Sequence, residues 1–153
     1  MIRPGRVLAI AAAIVVIGCG PSPITSTRIE AAIGTTFANL VELQVSRLGL
    51  PPVAAADLAV TANCRKQVAG VRAGAGEWVC TLLWQGPDHR TLRDTYDLSV
   101  TTEGCYSATV EGKSVGGPSL TAVDGTTVRN LLFAFEGCFD TSAVSRKLRA
   151  ENS

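Results

Sequence analysis

Apolar positions along the chain follow three different patterns. Val7 to Ile17 is an apolar run of 11 residues broken by no charge. It is well short of the roughly 20 residues that span a bilayer as a helix. From Arg28 to Leu48, Ile29, Ile33, Phe37, Leu40, Val41, Val45 and Leu48 recur at steps of three and four, a spacing that gathers side chains on one helix face. Glu30, Asn39, Glu42 and Arg47 take the other side. Thr27 and Glu30 match a capping box, in which hydroxyl and carboxylate satisfy backbone N–H groups left unpaired by the first turn. Gly49 stands where a helix closes in left-handed backbone, and Pro51-Pro52 prevent continuation.

Beyond Pro52 the period changes to two. Leu58, Val60, Ala62 and Cys64 alternate with Ala59, Thr61 and Asn63, which predicts a first strand. A glycine-rich loop from Gly70 to Gly76 separates it from a second. There Trp78, Cys80, Leu82 and Trp84 share a face until Gly86-Pro87-Asp88 ends the run. Arg93 to Thr101 predicts a third strand with Tyr96, Leu98 and Val100 pointing one way. Glu103-Gly104 is its turn and Cys105 to Val110 its partner. Residues 112–119 read as a loop and Asp124-Gly125 as a turn. Val128 to Phe135 reads as a final strand, with a short helix as the alternative. The fold class is α+β: one N-terminal amphipathic helix packed on a four- to five-stranded antiparallel sheet. The domain covers residues 27–140, and residues 141–153 form a polar tail. A helix lying on a membrane is the competing reading of residues 28–48, and its polar side is not basic enough to favour it.

The cysteines add a second constraint. Apart from Cys19 there are four, Cys64, Cys80, Cys105 and Cys138. An even set behind an export-type segment suits two disulfides formed in an oxidising compartment. Glu103-Gly104-Cys105-Tyr106 is echoed by Glu136-Gly137-Cys138-Phe139. Like geometry beside each cysteine suits a bridge between neighbouring strands, which favours Cys64–Cys80 and Cys105–Cys138. Crossed pairing and free buried thiols remain open. No two of the four have the close spacing of a zinc site and His89 is the one histidine, so neither a metal nor a cofactor is expected.

Met1 to Arg6 carry two arginines ahead of the apolar run, the layout of a secretory signal. The run ends in Val16-Ile17-Gly18-Cys19, which resembles the lipobox of bacterial lipoproteins. The resemblance implies that the Cys19 thiol takes a diacylglycerol. Signal peptidase II then cuts after Gly18, and acyl chains such as palmitate hold the product on the extracytoplasmic face of the cell membrane. Two chains matter, because one gives only marginal, reversible binding. Residues 1–18 would then be the signal peptide and 19–26 a lipidated tether. The seven residues after Cys19 reach at most about 25 Å. Ordinary cleavage, with Cys19 a fifth thiol, and an uncleaved anchor are the alternatives. Loss of Arg3 and Arg6 takes the formal net charge from +1 to −1. That balance argues against a nucleic-acid partner, and it leaves membrane attachment to the lipid. In the order of its elements over residues 27–140, the domain also resembles cystatin-like small secreted domains; no motif carries that likeness, so no functional residue follows from it.

Candidate chemistry is sparse. Gly112-Lys113-Ser114-Val115-Gly116 fits the G-x-S-x-G pattern of a nucleophile elbow. That motif needs a helix directly after the serine, and Gly117-Pro118 oppose one. A phosphate loop fails because residue 107 is Ser where the first glycine belongs. His89 adjoins Asp88 in a loop, and Asp94, Asp97, Glu103 and Asp124 are available for pairing as carboxylates. Trp78 and Trp84 would be core or, if exposed, a stacking platform for a sugar or peptide. The expected function is therefore a membrane-anchored, non-catalytic binding or envelope-associated module. Its attachment is the membrane through lipid on Cys19, with an envelope protein as partner. A small-ligand carrier and an enzyme with an unrecognised site are the alternatives.

Overall fold

Helix α1 runs Ser26–Arg47 and buries Ile29, Ile33, Phe37, Ala38, Val41, Gln44 and Val45. The computed structural model describes residues 24–86 and 89–141. After α1 come a single 3-10 turn (Ala55–Leu58) and strands β1 (Thr61–Lys66), β2 (Gly76–Gln85), β3 (Thr91–Val100) and β4 (Cys105–Val110). Strands β5 (Ser119–Thr121), β6 (Thr127–Arg129) and β7 (Ala134–Cys138) complete the set. Five of them form one antiparallel sheet in the order β1-β2-β3-β4-β7, while β5 and β6 form a separate hairpin. The architecture is α+β, with a single helix over one face of a five-stranded sheet.

The helix ends as its glycine predicts. Gly49 has φ +71, its N–H donates to the Ser46 carbonyl, and the Leu50 N–H reaches back to that of Val45, both at 3.1 Å. These two bonds make a Schellman motif. The start differs from expectation. Thr25 is the N-cap and no side chain caps the helix, so Thr27 lies inside the first turn. The Glu30 carboxylate is spent elsewhere: its Oε1 accepts from the Cys64 backbone N–H at 2.9 Å. The reason is a competing donor. Cys64 sits opposite Cys80 with Cα atoms 4.1 Å apart, the spacing of a non-hydrogen-bonded antiparallel pair. On an edge strand its N–H then points off the sheet, and an unpaired donor costs more than a helix terminus that water can reach.

Two strand boundaries also move. β1 begins at Thr61, because Leu58 closes the 3-10 turn and Ala59 adopts φ 45. Leu58 is buried, but from the turn and not from a strand. The apolar run Val128 to Phe135 is two short strands interrupted at Asn130. That side chain is buried and its Nδ2 donates to the carbonyls of Val115 and Gly117, both at 2.8 Å. Its Oδ1 accepts from the Leu132 N–H at 3.0 Å. One buried amide thereby satisfies three backbone groups and turns the chain between β6 and β7. The 112–119 loop ends in β5, and Asp124-Gly125 is the turn of the small hairpin, with the Thr126 N–H and hydroxyl both on Asp124 Oδ1.

The core lies between α1 and the sheet. Trp78, Cys80, Leu82, Tyr96, Leu98, Tyr106, Ala108 and Phe135 point toward the helix, and Phe37 stacks edge-on with both Trp84 and Tyr96. The other face of the sheet carries Thr81, Thr95, Asp97, Ser99, Ser107, Thr109 and Glu136, and no element is packed against it among the described residues. The structure pairs Cys64 with Cys80 and Cys105 with Cys138, so crossed pairing and free thiols are set aside. Each bridge joins an edge strand to its inner neighbour.

Candidate functional site

Cys19, the residue on which the sequence reading turns, lies outside the described residues, as do residues 1–18, the start of the tether and the tail from 142 onward. What is visible is where the chain comes in. Thr25 forms a β-bridge with Ala73, and the Gly74 N–H donates to the Ile24 carbonyl at 2.8 Å. The first described residues are thus stitched to the β1–β2 loop. The β3–β4 turn and the end of β7 share this pole, and Arg28 Nη1 donates to the Asp140 carbonyl at 2.9 Å. Thr141, the last described residue, is here too, its hydroxyl hydrogen-bonded to the Glu103 carbonyl.

Beside the incoming chain is a surface crevice of about 370 Å³, bounded by Ser26 at the start of α1 and by Arg65, Lys66, Val68, Arg72 and Trp78. Three cations line it and no carboxylate does. The Lys66 ammonium lies 5.4 Å from the centre of the Trp78 ring and also donates to the Ala75 carbonyl. The Arg65 and Arg72 side chains are exposed. The three cations come from one short stretch, Arg65-Lys66 and Arg72, which reads in the sequence only as the end of a strand and a glycine-rich loop; the fold sets Ser26 and Trp78 beside them.

The other candidates do not converge. His89 is exposed in the β2–β3 loop with φ 58. Ser114 is exposed in the loop after β4, in a turn and not before a helix, so the nucleophile-elbow geometry is absent. No hydrogen bond links Ser114 to His89. Asp94 and Asp97 are on opposite faces of β3. Asp94 is buried and accepts from Trp84 Nε1 at 2.6 Å, whereas Asp97 accepts from Gln67 Nε2 at 3.1 Å. Glu103 belongs to the β3–β4 turn, where hydrogen bonds from Thr102 and Thr101 hold its carboxyl below the usual range. Asp124 is held down likewise by Thr126 in the β5–β6 turn. Four carboxylates occupy four separate places. Among the described residues no three His, Cys, Asp or Glu side chains gather as a metal site would require. Trp78 is fully buried and Trp84 half-buried against Phe37, so the two tryptophans are core and not a stacking platform.

The open sheet face has shallow hollows of about 520 Å³, near Ser99, Ser107 and Glu136, and about 450 Å³, near Thr109 and Arg129. The first is lined by hydroxyl side chains, Glu136 and the Cys105–Cys138 bridge, the second by Ser107, Thr109, Arg129, Glu136 and apolar residues, and no hydrogen-bonded nucleophile–base pair is present in either among the described residues. The fold and site together define a disulfide-bonded α+β domain with a basic crevice beside the helix start and an uncovered sheet face. No protein-family model, no curated protein and no solved structure matches the chain.

Proposed function

We propose that this chain is an extracytoplasmic lipoprotein, held on the cell membrane through lipid on Cys19, whose domain is a non-catalytic binding module. The observation that carries the reading is Val16-Ile17-Gly18-Cys19 at the end of a charged-then-apolar leader. Ile24, five positions later, already belongs to the folded unit. Two disulfides in the fold accord with an oxidising compartment outside the cytoplasm. The helix is amphipathic in this reading. Its sheet-facing side carries Ile29, Ile33, Phe37 and Val41, and its other side Glu42 and Arg47, so it serves as the covering layer of the domain. An envelope protein would meet the uncovered sheet face. A carrier would need space between helix and sheet, and that space is occupied by Phe37, Trp78 and Tyr96. An enzyme would need convergent groups, and the candidate serine, histidine and carboxylates are dispersed.

The test is Cys19→Ala, expressed in a bacterial host fed a labelled fatty acid. The expected result is full-length precursor with no acyl label, against a processed and labelled parent chain. Normal processing and labelling of the variant would overturn the reading.

A further inference from the structure

We infer that the β1–β2 loop is a membrane-docking device. It seats on the leaflet that holds Cys19, with Val68 and Val71 at the headgroup boundary and Arg65, Lys66 and Arg72 facing the phosphates of anionic phospholipid. The inference rests on the lipid-anchor reading and adds to it an orientation and a lipid class.

Three observations taken together support this seating; exposure alone would not, since Val123 at the far pole is 73% exposed. The first is the route of the chain. Thr25 is bridged to Ala73 and Ile24 is bonded to Gly74, so the anchor leads directly onto this loop. From Cys19 to Ile24 the backbone extends at most about 18 Å. A lipidated Cys19 therefore brings this pole to the bilayer and leaves the far pole, at the helix C-terminus, about 33 Å along the axis of a 22-residue helix.

The second is exposed apolar surface in the same loop. Val68 is 61% exposed and Val71 44%, and the Val71 N–H donates to the Val68 carbonyl in a turn through Gly70, φ +81. Water-exposed valines on a loop tip are what a headgroup boundary can take up.

The third is charge. The crevice behind the valines is lined by Arg65, Lys66 and Arg72 without a carboxylate. Helix α1 opens onto it with no side-chain cap and no acidic residue in its first turn, so the backbone N–H groups there add partial positive charge. The nearby acids are engaged within the fold: Glu30 accepts from the N–H of Cys64 at the crevice wall, Glu77 accepts from the Ser99 hydroxyl, and Glu103 lies in the β3–β4 turn. The near-neutral total conceals this separation: net charge gives no general attraction to a membrane, whereas the placement of the charges gives a local one. In the docked orientation the Lys66 end of β1 lies toward the lipid, and the open sheet face away from Arg65 stands clear for a protein partner.

The test uses full-length, lipidated protein reconstituted into vesicles with brominated acyl chains, which quench tryptophan at the membrane. The vesicles are phosphatidylcholine alone or mixed with phosphatidylglycerol. Reporters are Val68→Trp, with Val71→Trp as a second probe, and Val123→Trp at the far pole, where the Val123 N–H bonds the Leu48 carbonyl. The unaltered protein gives the background of Trp78 and Trp84. Expected is several-fold stronger quenching at 68 and 71 than at 123 on anionic vesicles. The docked-to-undocked ratio read from that excess should fall about fivefold for each of Arg65→Gln and Arg72→Gln. Acyl-labelled, vesicle-bound protein with equal quenching at both poles would overturn the docking and leave the anchor standing. Excess quenching indifferent to the arginines and to phosphatidylglycerol would overturn the phosphate contacts. Protein that carries no acyl label and fails to float with vesicles would overturn the anchor, and the docking with it.

Discussion

At the β1 edge of the sheet the cystine is inside. Cys64 and Cys80 are both buried, under α1, and the Glu30 carboxylate crosses from the helix to hold the strand that carries one of them. At the β7 edge the cystine is outside: Cys105 is half-buried, Cys138 is exposed, and both lie on the face the helix does not cover. Both bridges join an edge strand to its neighbour, yet only the first is also core. The contrast separates two contributions usually merged in one number. Chain entropy favours the outer bridge, which spans 33 residues against 16, by about 3.7 to about 3 kcal/mol. Packing favours the inner one, since removing two buried sulfur atoms costs roughly 1 kcal/mol each. Packing outweighs the difference in loop length. Cys64→Ala/Cys80→Ala should therefore lose about 5 kcal/mol and Cys105→Ala/Cys138→Ala about 3.5 kcal/mol in urea unfolding. The reverse order would mean that loop length governs and that the buried site collapses without a cavity.

The helix ties itself to the two edges with different strengths as well. Glu30 is half-buried and accepts from the edge N–H of Cys64, while Arg28 donates to the Asp140 carbonyl in an exposed bond. Removing a carboxylate that satisfies a protein donor costs about 2 kcal/mol, because the donor is left without its partner. Losing an exposed contact to a carbonyl that water can serve costs at most about 0.5 kcal/mol. Urea midpoints of Glu30→Ala and Arg28→Ala should differ in that direction. Equal effects would place the two edges under the same control.

Much of this arrangement was readable in the sequence, and the unreadable part has a common cause. Periodicity found α1, the alternation around Trp78 and Tyr96 found β2 and β3, and the Glu103-Gly104 turn gave β4 as the partner of β3, because local pattern suffices there. The cysteine pairing could be read because the Glu-Gly-Cys echo around Cys105 and Cys138 suits neighbouring strands, which leaves Cys64 and Cys80 as the second pair. Glu30 was misread because two uses compete for one carboxylate, and the donor that won lies 34 residues away. Asn130 was passed over inside an apolar run because a buried amide is betrayed only by the carbonyls it reaches, those of Val115 and Gly117. The lipobox-like stretch Val16-Ile17-Gly18-Cys19 is contiguous and is read from the sequence alone. The cations of the basic crevice, Arg65, Lys66 and Arg72, are close in the sequence, and they gain meaning only when the fold sets the helix start and Trp78 beside them.

The finest distinction between the edges can be read from the chain's two tyrosines. Tyr96, on the central strand, donates to the Leu132 carbonyl at 2.7 Å; burial first and the neighbouring Asp94 second push its phenol far above the ordinary value. Burial also raises Tyr106, while the hydrogen bond to Thr36 works against it. Its ring lies over Gly137 of β7 so closely that a Cβ there would fall 2.5 Å from the hydroxyl. Both folded values exceed that of the unfolded chain, near 10. The linked stability is thus complete below that pH and is lost as pH rises toward the folded values. In the oxidised protein no phenolate absorbance should develop near pH 10 ahead of unfolding. Opening the outer bridge with Cys105→Ala/Cys138→Ala loosens β7 first at Gly137, over Tyr106, whereas Tyr96 meets β7 farther along at Phe135 and keeps its bond to the Leu132 carbonyl. One phenol of the two should then titrate close to its ordinary pH, with Tyr106→Phe abolishing that step. Ionisation of both together would show that β7 is not a separate edge, and that the outer cystine supports the whole core as the inner one does.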